Sequence, residues 1–218
     1  MKISFLTVLV LITGIQTAYA VNILPRAGVD FVRQSYSNFD NTSNPSIKDN
    51  GYGYSTGLAI LKNNFYFDFG LESAQIKTPV NSVDVHDTGW RSEVSFSLGY
   101  KSGEYLWLNA GLQRVIYGEN QLDDDRGVTS SPFVGFTFSN MESGGYLFNV
   151  GGVFTFSPDH SGIAAVNNAS GGISGGVRFT ARKKGSPHLW GWKHRLFAPG
   201  LGGFQDITTK LSYSYLFI

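Results

Sequence analysis

From Ala27 to the C-terminus, apolar residues alternate with small or polar residues in ten separate segments. Successive side chains of a β-strand face opposite sides of the sheet, so a period of two predicts strands. In one segment, for example, Val94 and Phe96 alternate with Glu93 and Ser95. The predicted strands are Ala27–Gln34, Tyr52–Leu61, Phe65–Ile76, Trp90–Tyr100, Tyr105–Tyr117, Pro132–Asn140, Tyr146–Ser157, Gly172–Arg182, His188–Phe197 and Ile207–Ile218.

One face of these strands is apolar and aromatic, whereas the other carries Gly, Ser and few charges. Lipid outside and a narrow polar interior produce this pattern, and backbone in lipid must pair fully, so the sheet must close. Long and short connections alternate, which is typical of short periplasmic turns and longer external loops. The sequence therefore predicts an all-β fold, a transmembrane antiparallel up-and-down β-barrel with ten strands. An eight-stranded barrel with two weak segments outside it remains the alternative.

The first twenty residues differ from the rest of the chain. Met1-Lys2 precedes an apolar run from Ile3 to Ile12, and Ala18-Tyr19-Ala20 follows it. A positive start, a short apolar core and an A-x-A site indicate a secretory signal peptide. The run is shorter than the roughly 20 residues that a membrane-spanning helix needs. We expect residues 1–20 to be the signal peptide and 21–218 the barrel domain.

Composition narrows the function. Charged residues make up 15% of the chain, aromatic residues 15%, and the net charge is +1. A nucleic-acid-binding protein would normally show a basic face, so nucleic acid is not an expected partner. Cysteine is absent, which excludes disulfide-stapled scaffolds, thiolate zinc sites and thiol enzymes.

The whole chain resembles a small bacterial outer-membrane β-barrel protein of eight to ten strands, through its signal peptide, alternating strands and last strand. Leu211, Tyr213, Tyr215 and Phe217 alternate at the C-terminus, as in the strand that the barrel-insertion machinery recognises in such proteins. Ile218 after Phe217 departs from the usual terminal Phe. The resemblance implies location in the bacterial outer membrane, with outer-membrane lipid, lipopolysaccharide and the insertion machinery as partners. It implies no particular activity.

Two groups of strand residues are candidate sites. Aromatic belts mark both membrane interfaces of such barrels. At the external ends we expect Tyr52, Tyr54 and Trp90, and at the periplasmic ends Tyr100, Trp190, Trp192, Tyr213, Tyr215 and Phe217. The inward charges predict a lumen charge network made of Asp30, Asp68, Glu72, Arg91, Glu93, Arg178, Arg182, Lys193, Arg195 and Lys210.

Acids fall on the early strands of this network and bases mostly on the late ones. Closure brings the first and last strands together, so Asp30 can meet Lys210 or Arg178. Because unpaired buried charge is costly, we expect ion pairs that fill the barrel. The alternative is a narrow pore for small solutes or ions.

The connections carry an excess of acid: Asp40, Asp49, Asp84, Asp87, Glu119, Asp123, Asp124, Asp125, Asp159 and Asp206. A solvated, soluble face explains this excess most simply, and hard-cation binding is a weaker interpretation, since no EF-hand spacing is present. Arg33 and Arg114 are predicted on outward faces near the external rim, where guanidinium groups can pair with lipopolysaccharide phosphates or simply extend to water.

Catalysis is not expected. Asp84-Val85-His86 has the Asp-x-His spacing of omptin-like outer-membrane proteases, but a second pair of acids at a strand end is missing. Asp159-His160-Ser161 contains the residue types of a hydrolase triad, but adjacent residues cannot form its geometry. The four histidines show no metal-ligand spacing, and no metal or cofactor is predicted. We therefore expect a structural or surface-interaction role through acidic external loops, with a narrow pore as the alternative and a membrane-embedded protease or lipid hydrolase as a remote one; the external ligand is unknown.

Overall fold

The computed structural model describes residues 21–38, 47–77, 88–118, 127–155, 159–161, 174–197 and 204–217. The predicted signal peptide lies outside these residues. The strands are β1 Asn22–Asn38, β2 Ile47–Lys62, β3 Phe65–Lys77, β4 Thr88–Lys101, β5 Leu106–Gly118, β6 Gly127–Ser143, β7 Tyr146–Thr155, β8 Asp159–Ser161, β9 Ser174–Lys183, β10 His188–Phe197 and β11 Phe204–Leu216.

Ten of these strands form one closed antiparallel barrel. Each pairs with its neighbours along the chain, and β1 closes the ring on β11 through a register that runs from Arg26–Leu216 to Asn38–Phe204. The short β8 pairs with β6 beyond the end of β7. The predicted ten-strand barrel is confirmed, and the eight-strand alternative is wrong, because β10 pairs fully with both β9 and β11.

The barrel has its apolar side outside. Val29, Leu112 and Trp190 are each more than 60% exposed, while Asp30 and Glu93 are 4% and 3% exposed. A water-soluble barrel would reverse this order, because apolar side chains gain by leaving water. The described part of the chain contains no helix long and apolar enough to cross a membrane.

The strands extend further toward the long connections than the alternation predicts. β1 continues to Asn38 and β2 begins at Ile47, so backbone pairing persists where both faces carry polar residues and the period of two disappears. Three acids expected in loops are consequently in strands: Asp49 in β2, Asp159 in β8 and Asp206 in β11. The other acidic loop residues lie outside the described residues: Asp40, Asp84, Asp87, Glu119, Asp123, Asp124 and Asp125.

Candidate functional site: the lumen ion cluster

Seven charged side chains meet inside the barrel, in the half nearer the long connections. We call them the lumen ion cluster: Asp30 (β1), Glu72 (β3), Arg91 and Glu93 (β4), Lys193 and Arg195 (β10) and Lys210 (β11). All seven stand on the parity opposite to the exposed apolar residues of their strands, such as Val29, Trp192 and Leu211, so strand alternation aims them into the lumen.

Glu93 is the centre of the cluster. Its carboxylate accepts from Lys193 Nζ at 2.6 Å and from Arg195 Nη1 at 3.1 Å, and Arg91 Nη1 lies 3.4 Å away. Because β4 and β10 are five strands apart in the ring of ten, the contacts with Lys193 and Arg195 cross the full width of the lumen. One carboxylate therefore holds opposite walls together.

Glu72 and Asp30 extend the cluster toward the seam where the barrel closes. Glu72 lies 3.2 Å from Lys193 Nζ and 2.8 Å from Lys210 Nζ. Lys210 also reaches Asp30, at 3.6 Å, which is the pairing expected from closure of the first strand on the last. Asp30 additionally accepts from Ser55 Oγ at 3.3 Å.

On each of the two opposite sides of the barrel, two like charges face each other on neighbouring strands. Glu72 stands directly opposite Glu93 on β3 and β4, and Lys193 stands directly opposite Lys210 on β10 and β11. Like charges in facing positions destabilise a sheet. Arg91 and Asp30 offset part of each repulsion from the same side of the barrel, and the contacts of Lys193 with Glu72 and Glu93 offset both from across the lumen. The contacts that join the two sides form only when the barrel is closed.

Little space remains within the cluster. The cluster, with Val32, Ser73, Ala74 and Thr208, lines a cavity of about 20 Å³, enough for roughly one water molecule. Arg195 is further held by the amide oxygen of Gln113, when that amide is oriented as an acceptor. Lys193 and Glu72 nevertheless keep 22% and 28% of their side-chain surface accessible to water.

A second, smaller ion pair lies nearer the short turns. Arg26 donates to both oxygens of Asp68, at 2.7 and 3.2 Å, and its guanidinium lies against the space beside Gly57. The alternation analysis began the first strand at Ala27 and so missed Arg26. The signal was present, because Arg26 keeps the parity of Gly28 and Asp30. Arg178 and Arg182, predicted in the network, lie on β9 and are not members of the lumen ion cluster.

Some of the aromatic residues do not lie at the height that the two predicted belts require. Tyr54 pairs with Val29 and Val29 with Tyr213, so a residue assigned to the external belt and one assigned to the periplasmic belt are two strands apart on one register row. With strands about 4.8 Å apart and tilted near 40°, their heights differ by about 6 Å, against an apolar band about 25 Å tall.

Trp192 is likewise misplaced in the prediction. It is the fifth of the ten residues of β10, and its row runs through Leu211 and Phe31 to Tyr52. Tyr54 and Trp192 thus lie away from the strand ends, whereas Tyr213 is opposite Trp190 near the short-turn end. The position of a residue within its strand did not predict its height in the membrane, because neighbouring strands are staggered in a tilted barrel.

Except for Tyr52, the sixth of the sixteen residues of β2, the remaining predicted belt residues lie nearer strand ends. Trp90 is near the long-connection end of β4, and Tyr100 is near the short-turn end of the same strand. Trp190, Tyr215 and Phe217 lie toward the short-turn end, with Tyr215 and Phe217 in ring contact at 5.2 Å. His188 Nδ1 is 2.6 Å from the Tyr213 hydroxyl oxygen in the same aromatic patch.

Arg33 and Arg114 are both exposed and both stand on the outward parity of their strands. Arg114 already interacts with another group, whereas Arg33 makes no such contact within the described part of the chain. Of the candidate catalytic elements, Asp84-Val85-His86 is outside the described residues, and Asp159-His160-Ser161 forms β8. Across the described ranges no group of three or more acids and histidines is arranged to hold a metal ion.

A closed antiparallel barrel with an apolar exterior and a polar lumen is the architecture of bacterial outer-membrane proteins. This protein has that architecture, with ten strands in the barrel. The sequence matches no protein-family model and no curated protein.

Solved structures with a similar fold are outer-membrane barrels. The translocator domain of the autotransporter NalP from Neisseria meningitidis is 9% identical, with 94% of this chain and 92% of that chain covered and a TM-score of 0.46. An outer-membrane channel from Pseudomonas putida F1 is 11% identical, with 89% and 95% covered and a TM-score of 0.46. The attachment invasion locus protein Ail of Yersinia pestis is 10% identical, with 89% and 98% covered and a TM-score of 0.39. Similarity at this level carries no argument about activity.

Proposed function

We propose that the protein is a closed outer-membrane barrel that acts as a scaffold for its long connections at the cell surface, and that it neither conducts solutes nor catalyses a reaction. The observation that carries the first part is the lumen ion cluster. Glu93 joins opposite walls through Lys193 and Arg195, and the cavity that the cluster lines measures about 20 Å³, room for roughly one water molecule.

Single-channel recording in planar bilayers tests the closed lumen. The wild-type protein is expected to insert without stable conductance steps. Stable steps whose ion selectivity changes in Glu93→Gln, but not in the matched exposed variant Glu142→Gln, would overturn the proposal and favour the narrow pore.

The second part of the proposal concerns orientation, because a surface role requires the long connections to face outward. The absence of cysteine from the chain makes single-cysteine labelling on intact cells direct. Asp124→Cys, in a long connection, is expected to react with a membrane-impermeant maleimide, whereas Ser102→Cys, in a short exposed turn, reacts only after the cells are broken. The reverse pattern contradicts the surface role.

The absence of catalysis is also testable. Peptide and lipid-ester substrates should not turn over in the presence of the purified protein. Turnover that is lost in His86→Ala would establish a membrane-embedded hydrolase instead.

We also propose that the barrel-insertion machinery recognises the last strand. Phe217→Ala is expected to slow assembly of newly made protein in cells while leaving refolding in detergent unchanged.

A further inference from the structure

The outer surface of the barrel changes from apolar to polar along one register row. Tyr52, Phe31, Leu211 and Trp192 form an apolar row across β2, β1, β11 and β10, and all four are between 37% and 75% exposed. Two residues further along each strand, on the same outward parity, come Asn50, Arg33, Thr209 and His194. We call this second set the outward polar row.

Arg33 lies at the centre of the outward polar row. It faces Asn50 on one side and Thr209 on the other, and Thr209 is fixed by His194, whose Nδ1 lies 2.9 Å from the threonine hydroxyl. Lys48, also exposed, stands diagonally above Arg33, opposite Ser35. Diagonal positions on neighbouring strands are about 7–8 Å apart, so the two cations can reach one doubly charged group.

Neither β1 nor β2 carries an acidic residue on its outward face that could pair with Arg33 or Lys48. Asp30 and Asp49, the acidic residues of β1 and β2, stand on the opposite, lumen-facing parity. Neither Arg33 nor Lys48 makes an ion pair within the described residues, whereas Arg114, on the outward face of β5, is already engaged. Two exposed positive charges at an apolar boundary, without a carboxylate between them, leave room for an external anion.

We propose that the outward polar row, with Lys48, binds the phosphate group of a membrane lipid, and that the apolar row beneath it contacts the acyl chains of the same lipid. Guanidinium groups recognise phosphate oxygens through paired charge-assisted hydrogen bonds, and Lys48 supplies a further point charge. Exposed Phe31 and Trp192, directly below, favour a lipid over a soluble phosphate, because only a lipid brings apolar surface to them. This site is independent of whether the lumen conducts.

Native mass spectrometry of the whole protein in nanodiscs tests the proposal. The nanodiscs contain phosphatidylcholine with a small fraction of either bisphosphorylated or dephosphorylated lipid A. We expect the bisphosphorylated form to be retained in preference, and Arg33→Gln to weaken its retention about tenfold, as expected for the loss of one charge-assisted contact. Lys48→Gln is expected to weaken it less, because a single amine replaces a two-pronged contact.

Three further measurements test whether the retention depends on this site and on a lipid. The exposed Lys62→Gln, at the short-turn end, is the matched control and should retain the lipid as wild type does. Equal losses in Arg33→Gln and Lys62→Gln, or no preference for the phosphorylated lipid, would overturn the proposal; so would a loss in Arg114→Gln as large as in Arg33→Gln. Competition by free pyrophosphate in phosphatidylcholine nanodiscs, with the same dependence on Arg33, would show a soluble phosphate as the ligand and overturn the lipid assignment. Gel mobility of the unheated variants confirms that each barrel is folded.

Discussion

Glu93→Gln tests whether the lumen ion cluster stabilises the barrel. Glu93 is 3% exposed and lies within 3.4 Å of a nitrogen of Arg91, Lys193 and Arg195. Gln keeps the volume but removes the charge, which leaves three cations around a neutral amide. Removing one partner of a buried ion pair costs about 3–5 kcal/mol. We expect the free energy of unfolding to fall by about 3 kcal/mol, at the lower end of this range. Lys193 retains its ion pair with Glu72, and Arg195 retains its contact with the Gln113 amide.

The measurement is reversible urea unfolding in lipid vesicles, followed by tryptophan fluorescence and by the mobility of unheated protein on gels. The matched control is Glu142→Gln. Its pair with Lys184, at 2.9 Å, joins side chains that are 49% and 63% exposed, and exposed pairs contribute about 0–1 kcal/mol.

A loss below about 1 kcal/mol in Glu93→Gln, or one no larger than in Glu142→Gln, would refute the view that the contacts across the lumen hold the walls together. A double-mutant cycle of Glu93→Gln with Arg195→Gln isolates the shared contact. Coupling of more than about 0.5 kcal/mol is expected for residues in one network.

Other predictions concern packing and height in the membrane. Gly99→Ala is expected to lower the free energy of unfolding by about 1–3 kcal/mol, measured in the same vesicles, because a β-carbon at Gly99 would collide with the ring of Tyr66; unchanged stability would show that Tyr66 moves aside freely. In proteins with a single tryptophan, lipids brominated deep in the acyl chain should quench Trp192 more than Trp90, and the opposite order would restore Trp192 to a belt. Asp68→Asn should cost less than Glu93→Gln in urea unfolding, because the Arg26 and Asp68 side chains are 26% and 19% exposed; an equal or larger cost would contradict the screening argument.

The sequence by itself determined the architecture. Alternation, strand-length segments and alternating connection lengths are local properties, and they predict a barrel because each residue's facing follows from its parity within one strand. Even the least regular predicted segment, His188–Phe197, is β10 with the same boundaries. Parity likewise placed Asp30, Glu72 and Glu93 inside before any partner was known.

Only the tertiary structure decided which charges meet. Glu93 and Lys193 are separated by 100 residues, and their contact depends on closure and on the stagger between strands, which no single strand encodes. The same stagger moved Trp192 and Tyr54 away from the belts that sequence position predicted, and set Arg33 beside Thr209 and Asn50. Whether a side chain points into the lumen or outward is a local property with a period of two. Its height in the membrane and the side chains it contacts are set by the register of all ten strands together.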